Sequence, residues 1–152
     1  MKRAVTASLL LFICLSAHAR SSLVGRVVRV VDGDTIVVLD ARNDRIRVGL
    51  VGVDAPERVQ AYGEASRRSL ANLCAGQPVA VYEMQENRYG YLFGKIYCAG
   101  VDATVEQVKL GMAWVQDQKS PLYKLQKAAQ SAKIGLWADS DPIPPWDYRE
   151  RR

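Results

Sequence analysis

The chain has 152 residues, room for one ordinary domain with a real core and not comfortably for two. Apolar residues make up 49% and charged residues 24%, which argues against wholesale disorder. The formal charge is +5, and the single histidine, His18, excludes a multi-histidine metal site.

Lys2 and Arg3 make a short basic start, and residues 4–15 are almost wholly apolar. That run is about a dozen residues, short of the ~20 that span a bilayer. Ala17-His18-Ala19 then fits the small-x-small pattern of a signal-peptidase site. Residues 1–19 therefore read as a cleaved signal peptide, with a membrane anchor or buried helix as the alternatives. On this reading the protein is secreted or periplasmic, with no stable membrane insertion after cleavage. Removing 19 residues takes away Lys2, Arg3 and His18, so the mature chain carries +3 and no histidine. Cys14 belongs to the apolar run. Cys74 and Cys98 remain, an even pair that an oxidising compartment could join. Two buried free thiols are the alternative, and the 24-residue spacing fits no zinc pattern.

Residues 24–31 are rich in β-branched side chains, Asp32-Gly33-Asp34 is a strong turn signal, and 35–39 is a second β-branched run. These read as a hairpin. After a polar turn at 40–44, residues 45–53 read as a third strand, ended by Ala55-Pro56-Glu57. The period then changes. Residues 62–75 read as a helix, with Leu70, Leu73 and Cys74 on one face and Gly76 as its stop. Strands follow at 78–83 and 91–97, around a turn at 87–90. A short helix is expected at 104–110. A third helix should start at Ser120-Pro121 and carry Leu122, Leu125, Ala129, Ala132 and Leu136 along one face. Residues 139–152, with Pro142, Pro144 and Pro145, read as an extended, charged tail. The fold class is α+β dominated by β: a five-stranded OB-type barrel with three helices, occupying residues 20–138.

Asp32-Gly33-Asp34 and Asp54-Ala55-Pro56-Glu57 both stand at strand ends, where an antiparallel layout can bring their carboxylates together. Clustered carboxylates repel unless a cation holds them, and oxygen ligands suit Ca²⁺ or Mg²⁺. Asp-Gly turns are common, so turn chemistry alone leaves an ordinary structural role open. The combination is more specific. Val31-Asp32-Gly33-Asp34-Thr35, Gly52-Val53-Asp54-Ala55-Pro56-Glu57, Tyr62-Gly63-Glu64-Ala65, Arg88-Tyr89-Gly90 and Gly135-Leu136-Trp137 follow in that order. In this order and spacing the chain resembles the staphylococcal nuclease (thermonuclease) family from about Val24 to Trp137. Pro144-Pro145-Trp146 is similar to the tail of secreted bacterial members.

The resemblance implies a Ca²⁺-dependent endonuclease, a phosphodiesterase that takes DNA or RNA as substrate and works as a monomer. It assigns Asp34, Asp54 and the backbone carbonyl of Ala55 to the metal, and Glu57 to the general base. Tyr89 and Tyr123 are similar in position to residues around the nucleotide pocket, and Arg88 is a further candidate substrate contact. The family also places two arginines on the scissile phosphate, one five residues before Asp54 and one directly after Tyr89-Gly90. Here those positions hold Gly49 and Tyr91. Arg47, two residues before Gly49, shares its strand face about 7 Å away and is the candidate substitute, with a bulge at Gly49 as a second route. Without the clamps the chain would be weak or inactive as a nuclease. The alternative function is a non-catalytic OB-type module that binds nucleic acid or nucleotides. A protein-binding domain of the cell envelope, with the proline-rich tail as its contact, is the third reading.

Overall fold

The computed structural model describes residues 22–151. The leader expected at residues 1–19 lies outside them.

Strands β1 (Leu23–Val30), β2 (Thr35–Asp40) and β3 (Arg45–Leu50) form an antiparallel meander. A two-residue strand β4 (Val53–Asp54) and helix α1 (Gly63–Cys74) follow. Next come β5 (Pro78–Glu86), β6 (Leu92–Cys98) and the short β7 (Val101–Asp102), then α2 (Ala103–Lys109), β8 (Trp114–Val115) and α3 (Leu122–Ser131). A 3-10 turn (Gly135–Ala138) and a last helix, α4 (Pro145–Glu150), complete the described chain.

The sheet runs β3-β2-β1-β5-β6, with β7 added to β6. A parallel pairing of β3 with β6 joins the two ends, so the five long strands close into a mixed barrel. Closure removes the exposed edges that an open sheet would present. The β-branched runs fill the interior: Ile36, Val38, Val48, Val81 and Ile96 are completely buried. Leu70 of α1 and Val108 of α2 are equally buried and belong to the same core. Asp102 caps α2 by accepting the amide of Val105 at 3.0 Å.

Cys74 at the end of α1 and Cys98 at the end of β6 form a disulfide, which resolves the alternative left open above. It fastens the helix to the barrel across 24 residues.

Four expectations change. The third strand stops at Leu50. Gly52 turns the chain at φ +78°, and β4 leaves to pair with β8 instead. The register of β2 with β3 is regular, with Thr35 opposite Gly49, so there is no bulge at Gly49. Bulges occur instead in β1 and β5. The third helix ends at Ser131, and Leu136 reaches the interior from the 3-10 turn rather than from the helix face. The tail is not simply extended. Residues 145–150 are helical, with Pro145 in the first turn, where its missing N–H costs nothing. The described residues therefore hold four α-helices rather than three.

Candidate active site

The β1–β2 turn is built as a carboxylate platform. Asp32 Oδ1 accepts the Asp34 amide at 3.2 Å. Asp34 Oδ1 accepts the Thr35 hydroxyl at 2.8 Å, and its Oδ2 accepts the Ala55 amide at 2.7 Å. That last bond ties the turn to the segment following β4, 21 residues later in sequence. From below, the buried Gln107 donates Nε2 to the Gly33 carbonyl at 2.6 Å and accepts the Ser69 hydroxyl at 2.6 Å. Gly33 is required by close approach. A Cβ there would overlap the hydroxyl of Ser66 on α1.

Asp54 is carried by β4, whose partner β8 sets Asp54 opposite Trp114. Its side chain is only 12% exposed. Glu57 follows three residues later in a short loop. Gln60 Oε1 accepts the Glu57 amide at 3.1 Å, while the Gln60 amide donates to the Glu57 carbonyl at 2.8 Å. The same Gln60 donates Nε2 to the carbonyl of Ile143 at 2.7 Å, which fastens this loop to the segment leading into α4.

Arg149 completes the site, and nothing in the motif pattern pointed to it. Its Nη2 donates to Asp54 Oδ2 at 2.6 Å, and Nη1 to Asp54 Oδ1 at 3.2 Å and Glu57 Oε1 at 2.7 Å. Pro144-Pro145 is compatible with a helix start, but that signal does not by itself bring Arg149 to Asp54 and Glu57. Reading the prolines only as breakers concealed the helix.

These groups surround one cleft of about 320 Å³. Asp32, Asp34, Asp54, Ala55, Glu57, Arg47 and Arg149 all line it, together with Gly49 and Tyr91. Arg47 Nη2 stands 3.9 Å from Asp32 Oδ2, so it is drawn to the platform. Arg88, Tyr89 and Tyr123 are not among the lining residues. Arg88 lies over the Tyr89 ring at 4.7 Å, and Lys127 over the Tyr123 ring at 5.3 Å.

Burial, and next the charge of Asp32, push the Asp34 carboxyl well above the ordinary carboxylate range, to about 7, against the opposing hydrogen bond from Ala55. The hydrogen bonds that Arg149 donates to Asp54, and next the one to Glu57, hold its guanidinium even more firmly protonated than usual. Asp34 is thus a carboxylate short of positive charge, while Asp54 already attracts a cation. Both are hard oxygen donors at the rim of one cleft, a donor set that suits Ca²⁺ or Mg²⁺. Among the described residues no group of three or more Asp, Glu, His or Cys side chains could hold a metal. Two carboxylates and the Ala55 carbonyl would need water or phosphate oxygens to complete the shell.

Residues 47–139 match the staphylococcal nuclease homologue family. The chain belongs to the staphylococcal nuclease family. It is 45% identical over 132 residues to an Escherichia coli protein described as an uncharacterized endonuclease, covering 84% of this chain and 86% of that protein. An uncharacterized endonuclease of Haemophilus influenzae is 39% identical over 150 residues, covering 97% and 84%. The micrococcal nuclease of Shigella flexneri is 36% identical over 163 residues, covering 97% and 91%.

The two positions where the resemblance implies phosphate clamps, Gly49 and Tyr91, both line the cleft. A Cβ built at Gly49 would stand 2.8 Å from the ring of Phe93, which lines the same cleft. Tyr91 lines the cleft and is 55% exposed.

Proposed function

We propose that this protein is a Ca²⁺-dependent endonuclease that hydrolyses phosphodiester bonds in DNA or RNA. The observation that carries the reading is the convergence of Asp34, Asp54 and Glu57 on one cleft in a member of a nuclease family. Asp34, Asp54 and the Ala55 carbonyl would hold the cation. When bound, Ca²⁺ supplies positive charge against the phosphate oxygens. Glu57 is the general base. It takes a proton from the attacking water, whose oxygen forms the new bond to phosphorus while the opposite P–O bond breaks. The mechanism needs no histidine. Arg47, held near Asp32, is one source of positive charge toward the phosphate. Arg88, Tyr89 and Tyr123 lie outside the cleft lining and would contact the nucleotides flanking the scissile bond.

Incubation of the mature protein with single-stranded DNA and Ca²⁺ should give cleavage that chelator abolishes. Glu57→Gln should lower the rate by about 10²–10⁴-fold. Absence of chelator-sensitive cleavage at high enzyme concentration would remove the catalytic reading. The second reading, a barrel that binds nucleic acid without cutting, is favoured by Gly49 and Tyr91. It expects salt-sensitive binding and no products in the same tubes.

Secretion or residence in the periplasm is part of the proposal. The Ala17-His18-Ala19 pattern supports it, as does the Cys74–Cys98 disulfide, since such bonds persist in oxidising compartments.

A further inference from the structure

We propose that Arg149 is the phosphate-clamping guanidinium of this enzyme, delivered by the C-terminal helix where Gly49 and Tyr91 offer none. The inference rests on the nuclease reading and adds a residue to it.

Position is the first argument. The Arg149 fork grips both oxygens of Asp54 and one of Glu57, so it stands between a candidate metal ligand and the candidate base. A scissile phosphate that is attacked by water held on Glu57 must come to the same place. Gly49 and Tyr91 line the same cleft.

Charge is the second. The cleft lining holds four carboxyl groups, Asp32, Asp34, Asp54 and Glu57, against two guanidiniums, Arg47 and Arg149. An anionic phosphodiester cannot enter such a lining without compensation. Arginine supplies it with a planar, paired set of donors that matches phosphate oxygens as well as carboxylate oxygens. A bound cation would draw on Asp54, and Arg149 would then turn its donors from carboxylate to phosphate.

Anchorage is the third, and it separates a built site from a passing contact. Pro145, four residues before Arg149, is completely buried. Trp146 packs edge-on against Trp114 at 5.9 Å, and Trp114 in turn against Trp137 at 4.4 Å. These are all three tryptophans of the chain. Trp114 is the backbone partner of Asp54, so the anchor of the helix and the target of its arginine share one strand pair. The Gln60–Ile143 bond fixes the approach from the Glu57 side. A guanidinium held this way is positioned before substrate arrives, and productive geometry tolerates errors of only about an ångström.

The test uses the mature full chain with Arg149→Ala, Arg149→Lys and Trp146→Ala. Two quantities are measured: Ca²⁺-dependent cleavage of single-stranded DNA, and affinity for a nucleoside 3′,5′-bisphosphate in Ca²⁺. Arg149→Ala should lower cleavage by about 10²–10⁴-fold and weaken the bisphosphate at least about tenfold. Arg149→Lys should recover only part of each loss, because a point charge lacks the fork. Trp146→Ala should weaken both in the same direction, with Arg149 still present but no longer held. Arg149 is a half-exposed side chain paired with the nearly buried Asp54, so thermal melting of each variant in Ca²⁺ separates a loss of fold from a loss of the clamp. Cleavage by Arg149→Ala that equals or exceeds the wild type, with bisphosphate affinity unchanged or increased, overturns the clamp and makes Arg149 a plug over the carboxylates. If the wild type itself gives no chelator-sensitive cleavage, the nuclease reading fails. The bisphosphate arm then decides the clamp by itself: weaker binding by Arg149→Ala supports it, and unchanged binding overturns it.

Discussion

Asp34 combines two demands that conflict. It accepts hydrogen bonds from Thr35 and Ala55, yet it is withdrawn from water beside a second carboxylate, Asp32. Its folded pKa lies above its ordinary value of 3.8, at about 7. The folded protein therefore binds a proton that the unfolded chain releases between those two values. By linkage, the contribution of Asp34 to stability is greatest below about pH 4 and is lost as pH rises toward 7. In chelator, urea unfolding of wild type and Asp34→Asn should differ in pH slope over this window. The wild type should lose stability relative to the variant as pH rises, and a saturating divalent cation should offset the loss. Parallel slopes would show that Asp34 is not strained. Gly49 makes the second residue-scale case. Because Phe93 fills the space a Cβ would need, Gly49→Arg should cost about 1–3 kcal/mol in chemical denaturation. Tyr91→Arg has no such obstacle at its exposed position and should raise the cleavage rate at little cost in stability.

At the scale of elements, the site is held by three ties that join segments remote in sequence. The Asp34–Ala55 bond links the first turn to the loop after β4. Gln107 on α2 reaches the Gly33 carbonyl across 74 residues. The disulfide secures α1, against which Gly33 packs, to β6. Replacing Cys74 and Cys98 by alanine should cost about 2–5 kcal/mol, since the bond constrains a sizeable loop of the unfolded chain. Thermal unfolding with and without reductant measures this, and a wild type insensitive to reductant would contradict it. Most elements were legible because their patterns are local: the β-branched runs of β1 and β2, the Asp32-Gly33-Asp34 turn between them, the 3.6 period of α1, and the Gly76 that follows it. The β4–β8 pairing was not legible. Two-residue strands carry no period of their own, and it is the Gly52 turn that sends Asp54 to Trp114. The helix α4 was missed because proline is both a helix breaker and a favoured first residue, and only packing decides between them. Here Trp146 finds Trp114, and the six residues fold onto the site.

For the whole molecule, the mature chain proposed to begin at Arg20 would carry the described fold intact, since β1 starts at Leu23. Expression with the full leader should yield an exported protein whose N-terminal sequence starts at Arg20, and a product retaining Met1 would refute cleavage. The ordered motifs by themselves determined the barrel class, the family and the carboxylates of the cleft, because those motifs occupy strand ends whose placement follows from short-range pairing. They also put Gly49 and Tyr91 where the resemblance implies arginines. The tertiary structure alone brought Arg149 into the cleft that those two positions line. Arg149 meets Asp54 across 95 residues and Glu57 across 92. A contact of that length leaves no periodic or spacing signal. It exists because burial of Pro145 and the Trp114–Trp146 contact dock the last helix so that Arg149 lines the cleft.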